Sequence, residues 1–254
     1  MTVTFLGTGT SQGVPVIACD CAVCTSTDRR DNRLRSSVMI ELNGKNIVID
    51  TGPDFRYQML RNHVTRLDAV LFTHSHKDHV AGLDDVRAFN RQQGSAIDIY
   101  GTKALHEALQ REFYYAFAAK RYPGVPMLNL HEITADTFSL FGHTVTPVEV
   151  MHYLMPVLGF RIGDFTYITD AKTVSDQEVE KIVGTKVLVV NALQREDHIS
   201  HFTLEEAVAF ARRIGAEQTY FTHISHRLGL HADVERELPA GIHLAYDGLQ
   251  LTLS

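Results

Sequence analysis

The stretch FTHSHKDH, residues 72–79, sets three histidines and one aspartate in eight positions. A packed core disfavours unpaired imidazoles and carboxylates, and a solvated loop has no need of them. The stretch follows directly from LDAVLFTH, residues 67–74, an apolar run that reads as a buried strand. Side chains at a strand end are held rigidly while their tips enter a cleft. In an extended or tightly turned segment His74 and His76 point the same way, and Asp78 and His79 follow with another orientation. One short segment can therefore serve two metal ions. Such a pair suits hydrolysis, because one cation polarises the electrophile and a bridging water loses its proton near neutral pH. Dense ligand types right after an apolar strand favour metal binding over an exposed histidine-rich loop. His63, His106, His131 and His243 stand alone and read as surface or hydrogen-bonded core residues.

The bulk composition is that of a globular chain, with 44% hydrophobic and 21% charged residues in 254. No internal repeat, low-complexity tract or linker interrupts it, so residues 1–254 read as a single domain. No run approaches the roughly 20 apolar residues of a membrane span. The N-terminal MTVTFLGTGT lacks the basic and apolar regions of a signal peptide, which implies a cytoplasmic protein without membrane contact. A net charge of -6 argues against a stable nucleic-acid partner.

Further ligand types follow strand-like runs: His152 closes VTPVEVMH, Asp170 follows TYIT, and His223 follows TYFT. Helices are expected over residues 54–63, over residues 102–120, and over TLEEAVAFARRIGA, with Thr203 as N-cap and a Glu three positions on. HLAYDGLQLTL reads as a closing hairpin around Asp247-Gly248. Strands and helices in this order fit a layered α/β protein. The three cysteines, Cys19, Cys21 and Cys24, form one C-x-C-x2-C cluster. An odd number in one cluster is a poor disulfide framework and suits a metal better.

HSHKDH matches the H-x-H-x-D-H signature of the metallo-β-lactamase superfamily, and VIDTGPD resembles the segment upstream of it. The resemblance implies an αββα sandwich, two facing mixed β-sheets with helices outside, and a dinuclear site at one edge. It assigns His74, His76 and His152 to one ion, Asp78, His79 and His223 to the other, and Asp170 as the bridge. Asp50 would support the site rather than bind metal. The catalytic ions would be zinc, manganese or iron, since His/Asp sites accept each.

TFLGTGTSQGVP followed by CDCAVC resembles the phosphodiesterase branch typified by the phosphoribosyl cyclic phosphate phosphodiesterase. That branch implies a structural zinc on Cys19, Cys21, Cys24 and His226, with His231 as the other candidate for the fourth ligand. A Cys3His set makes a closed tetrahedral site. The resemblance also implies that His201, before a helix start, faces the scissile phosphate and protonates the leaving oxygen, with His198 as competitor. The implied activity is hydrolysis of a small phosphodiester, a cyclic ribose or nucleotide phosphate, by a metal-activated hydroxide that Asp78 orients, in a homodimer. A nuclease like ribonuclease Z, a non-hydrolytic protein like the pyrroloquinoline quinone member, and a lactonase or thioesterase are the alternatives. Arg87, Arg91, Arg111, Lys120 and Arg121 read either as pocket-lining or as solvated helix faces.

Overall fold

The computed structural model describes residues 1–253. One sheet begins with β1 (Thr2–Gly7), β2 (Ser37–Leu42) and β3 (Lys45–Ile49), paired antiparallel. Asn43 and Gly44 join β2 to β3 with φ of 52° and 73°, the left-handed pair that a two-residue hairpin needs to match strand twist. β4 (Ala69–Leu71), β5 (Ile97–Gly101) and β6 (Leu128–Glu132) then add in parallel. The second sheet starts with β7 (Phe138–Leu140), β8 (His143–His152), β9 (Met155–Ile162) and β10 (Phe165–Tyr167) as antiparallel neighbours. β11 (Val187–Asn191), β12 (Gln218–Thr222) and β13 (Ile242–Leu244) extend it in parallel. β14 (Gln250–Thr252) returns to pair antiparallel with β1.

Each seven-stranded sheet thus combines three antiparallel and three parallel pairings. Alternation along the strands decides which layer each side chain enters. Val3, Phe5, Ile47, Ile49 and Leu71 meet Leu158, Phe160, Phe165 and Val189 between the sheets. Leu6, Val48 and Val70 face outward onto α1 (Phe55–Arg61), α3 (Arg87–Gln93) and α4 (Lys103–Glu112) through Phe55, Met59, Phe89 and Leu109. Here α2 (Lys77–Val80) is the single turn that carries the metal motif, and α5 (Tyr114–Phe117) continues α4 after a break at Phe113. Leu188, Val190 and Phe221 face α6 (Asp176–Ile182), α7 (Leu204–Ile214) and α8 (His231–Glu237). Strands buried on both faces explain the continuous apolar runs. The result is the expected sandwich of two mixed sheets with helices outside.

Three local expectations are corrected. The closing segment is not a hairpin: β13 joins β12 in one sheet and β14 joins β1 in the other, so Asp247-Gly248 carries the chain between sheets. The long helix over residues 102–120 is two shorter ones. The run at residues 67–74 contributes only three residues to β4, because its end turns into the cleft. No helix among the described residues is long and apolar enough to cross a membrane.

The loop after β3 is laced to the metal turn, with the Thr51 amide donating to the His79 carbonyl at 2.8 Å and the Gly82 amide to the Thr51 carbonyl at 2.8 Å. A Cβ on Gly52 would collide with the Asp78 carbonyl oxygen, and one on Gly82 with that of Gly52. Gly52→Ala is therefore expected to lower stability by about 1–3 kcal/mol, the usual cost of overpacking. Urea denaturation gives the stability, and dialysis against limiting zinc shows whether metal retention falls with it.

Candidate metal centre

Five chain segments deliver the site, each at the end of a strand. Asp50 follows β3, His74 follows β4, His152 ends β8, Asp170 follows β10 and His223 follows β12. Asp50, Asp170 and His223 have φ of 63°, 58° and 56°. Non-glycine residues in this region are held there by their surroundings and cluster at functional sites. The left-handed step turns each side chain off its sheet and into the common cleft.

At the centre lies His79, fully buried. Its Nδ1 is 2.7 Å from Asp50 Oδ2, and its Nε2 is 3.1 Å from Asp78 Oδ2 and 3.3 Å from Asp170 Oδ2. Burial alone would lower the His79 pKa, but Asp170, Asp50 and Asp78 together hold it well above the ordinary value. Burial raises the Asp50 pKa. Burial also opposes charge on Asp170, yet His223 and His79 hold it well below the usual carboxylate range. His223 Nε2 is 3.4 Å from the other Asp170 oxygen, which places Asp170 between two imidazoles. Three carboxylates packed against a few imidazoles leave excess negative charge in a buried space, which a cation offsets.

The donor set fits metal binding. The buried nitrogen His74 Nε2 has no hydrogen-bond partner, although an unsatisfied buried polar atom costs about 1–3 kcal/mol. Ligand atoms of Asp78, His79 and His223 lie within 4.8 Å of one another, as do those of His74, His79 and Asp170, and those of His152, Asp170 and His201. The first of these groups is the set that the resemblance gives one ion. His76 stands exposed at the rim, its ring 4.7 Å from His74 and 5.2 Å from His152.

The imidazoles are oriented from behind. Thr73 donates its amide and its hydroxyl to Asp50, at 2.9 and 2.7 Å. His152 Nδ1 is 3.0 Å from the Ser200 carbonyl and 3.2 Å from that of Asp170, and Thr169 Oγ1 donates to Asp170 Oδ2 at 2.6 Å. Such outer contacts fix the tautomer and raise the basicity of a ligating histidine. Sequence reasoning missed both threonines. The signal was present, because Thr73-His74, Thr169-Asp170 and Thr222-His223 repeat one pattern at three strand ends.

His201 is buried inside the cluster, its ring 4.6 Å from His152 and 4.9 Å from His223, and its Nδ1 lacks a partner. Burial, and then His223, lowers its pKa to about 3. His198 lies one step out: its Nδ1 accepts from the Ser200 amide at 3.3 Å and its ring is 5.1 Å from His201. The start of α7, which follows His201, is not an open anion site. Thr203 and Glu206 form a capping box, the Leu204 amide donates to Gln194 and the Phe202 amide to Ala171. The first-turn donors that would meet a phosphate are largely occupied.

The second cluster is compact. His226 Nδ1 is 3.3, 3.4 and 3.5 Å from the sulfurs of Cys19, Cys21 and Cys24. A zinc tetrahedron with bonds of about 2.3 Å to sulfur and about 2.05 Å to nitrogen has an S···N edge of about 3.5 Å. The Cys24 amide, then His226, lowers the Cys21 thiol to about 6, while burial raises that of Cys24 to about 11. Holding all three as thiolates calls for a cation. His231 is engaged elsewhere, accepting from buried Arg33 at 3.1 Å. Arg87 pairs with Asp84 at 3.1 Å, and it lines a surface cleft with Arg91 and Arg121.

Comparison with known proteins places this geometry. The model of the family described as "Beta-lactamase superfamily domain" matches residues 45–224. A protein named "Octanoyltransferase" from Porphyromonas gingivalis is 40% identical over 248 residues, 96% of this chain and 50% of that protein. The chain therefore spans about half the length of that curated relative. The crystal structure of "a New Diphosphatase from the PhnP Family" aligns with a TM-score of 0.93 at 42% identity, over 98% of this chain and 96% of the other. Zn(2+)-bound PqqB from Methylobacterium extorquens shares the fold, with a TM-score of 0.80 at 23% identity over the whole of both chains.

Two substitutions separate the clusters. Asp50→Asn removes the charge behind His79 and is expected to weaken catalytic-metal affinity about 10- to 100-fold, with elemental analysis of chelator-titrated protein as the measurement. Cys21→Ser is expected to lose one zinc equivalent and to melt well below wild type, because a structural zinc contributes folding free energy. A melt equal to wild type with that zinc retained would remove the cysteines from the ligand set.

Proposed function

The chain belongs to the metallo-β-lactamase superfamily, and on that premise we propose that it is a metal-dependent phosphodiesterase acting on a small phosphodiester. A cyclic ribose or nucleotide phosphate is the leading substrate class. The observation that carries the reading is His201, a buried imidazole with an unpaired nitrogen, packed against the metal cluster but outside the seven residues of its ligand set. The likeness to a diphosphatase at 42% identity supports chemistry at phosphorus. The name octanoyltransferase belongs to a protein about twice as long. The three cysteines of this chain, which could serve acyl transfer, are turned onto His226.

His74, His76, Asp78, His79, His152, Asp170 and His223 would hold two divalent cations, zinc, manganese or iron, whose chemistry there would be to polarise phosphoryl oxygens and make water more acidic. Asp78, an acceptor at the cleft, would orient the attacking water. His201 would donate to a phosphoryl oxygen, whose negative charge opposes the burial that lowers its pKa, and so protonated it would pass a proton to the departing alkoxide. His152, hydrogen-bonded to the Ser200 carbonyl, keeps the loop that carries His201 against the cluster. The cysteine cluster with His226 would serve as a structural zinc. We further propose a cytoplasmic homodimer without a stable nucleic-acid partner, in keeping with the net charge of -6.

His201→Ala should keep its catalytic metals and lose about 10²- to 10⁴-fold in kcat/KM, the range for a general acid. The loss should be far larger for a ribose cyclic phosphate, which expels a poor alkoxide, than for a bis(aryl) diester, which expels a stable phenolate. Equal losses would reduce His201 to a phosphate contact. Loss of a metal equivalent would make it a ligand, as its distance to His152 and Asp170 also allows.

A further inference from the structure

One wall of the cleft is apolar. His152 pairs with Met155 across β8 and β9, so Tyr153 and Leu154 form a two-residue turn at the edge of the metal cluster. Ile199, on the loop that leads to His201, stands with them. Tyr153, Leu154 and Ile199 are 55%, 76% and 65% exposed, and they line a cleft of about 480 Å³ together with His76 and His152. Large apolar side chains gathered in the open beside a polar site mark a ligand-binding groove.

The turn is also built against its own backbone preference. Tyr153 has φ of 55°, in the left-handed region where two-residue hairpins favour glycine or asparagine. An aromatic held there is a strained choice, and such strain gathers at ligand clamps. Completing the lining are Met155 and Ser200, so no lysine, arginine, aspartate or glutamate lines the cleft. A second phosphate on this side would find no lysine or arginine to meet it. A planar apolar group would find an aromatic face and branched aliphatic walls.

We infer that Tyr153, with Leu154 and Ile199, determines specificity by stacking on a nucleobase carried by the phosphodiester. The inference rests on the proposed phosphodiesterase activity and narrows its substrate from sugar phosphates to nucleotides.

The test compares adenosine bearing a vicinal cyclic phosphate with the same cyclic phosphate on methyl riboside, which lacks the base. Base–aromatic stacking predicts that wild type favours the adenosine compound about 5- to 150-fold, chiefly through KM. Tyr153→Phe should keep that ratio and Tyr153→Gly should collapse it, while the glycine variant melts no lower than wild type because glycine suits the turn. No preference in wild type, or an equal loss on both substrates in Tyr153→Gly, overturns the inference. So does a glycine variant that changes sedimentation from dimer to monomer, since the patch would then join two copies. If neither substrate is turned over with zinc or manganese, the phosphodiesterase reading fails. Calorimetry of adenosine monophosphate against ribose phosphate on the metal-loaded protein then decides the inference by itself. Tighter binding of the adenosine compound that Tyr153→Gly abolishes upholds it, and equal binding sinks it.

Discussion

The contact between His79 Nδ1 and Asp50 Oδ2, 2.7 Å long and closed to solvent on both sides, is the constraint on which the site depends. It ties the end of β3 to the single turn of α2. Asp50 also accepts from the amide and hydroxyl of Thr73, so one carboxylate positions both ends of the metal motif. A buried carboxylate is tolerated only with such partners. With Nδ1 committed, His79 Nε2 is left facing Asp78 and Asp170, which is where a cation belongs.

The rest of the scaffold brings the second sheet to this anchor. Asp170 and His223 step out of their strands in left-handed backbone, while His152 arrives along an ordinary strand. The glycine-rich LGTG segment is structural. Gly9 bridges both Arg35 and Ile224, and a Cβ at Gly7 would collide with the Arg35 carbonyl. The amides of Thr10 and Ile224 close the same junction at 3.1 and 2.9 Å. His226 lies just beyond it and meets the cysteines, so the cysteine cluster and His223 share one short segment. Loss of the cluster would loosen the N-terminal loop and, through Ile224, the catalytic edge.

Much of this was legible in the sequence because it is local. The ligand types of HSHKDH, the strand-like run that ends at His152 and the capping box at Thr203 each depend on neighbours within a few residues. The family signature added candidates for the distant ligands. Local pattern also misled: Asp247-Gly248 looks like a hairpin turn, but its flanking strands belong to different sheets. Pairing of β14 with β1 joins residues about 250 apart, a choice made by sheet closure and not by turn chemistry.

What the sequence determined by itself was the inventory: an α/β chain, two groups of metal-ligand residues, and a family resemblance. Tertiary structure alone decided their relations. It placed His201 in the cluster and His198 outside it, chose His226 over His231, occupied the start of α7 with its own cap, and set Tyr153, Leu154 and Ile199 around one cleft. The physical reason is that periodicity and turn propensity act over a few residues. The convergence of strand ends, the burial of an imidazole and the charge around it are fixed only when two sheets pack and shut out water.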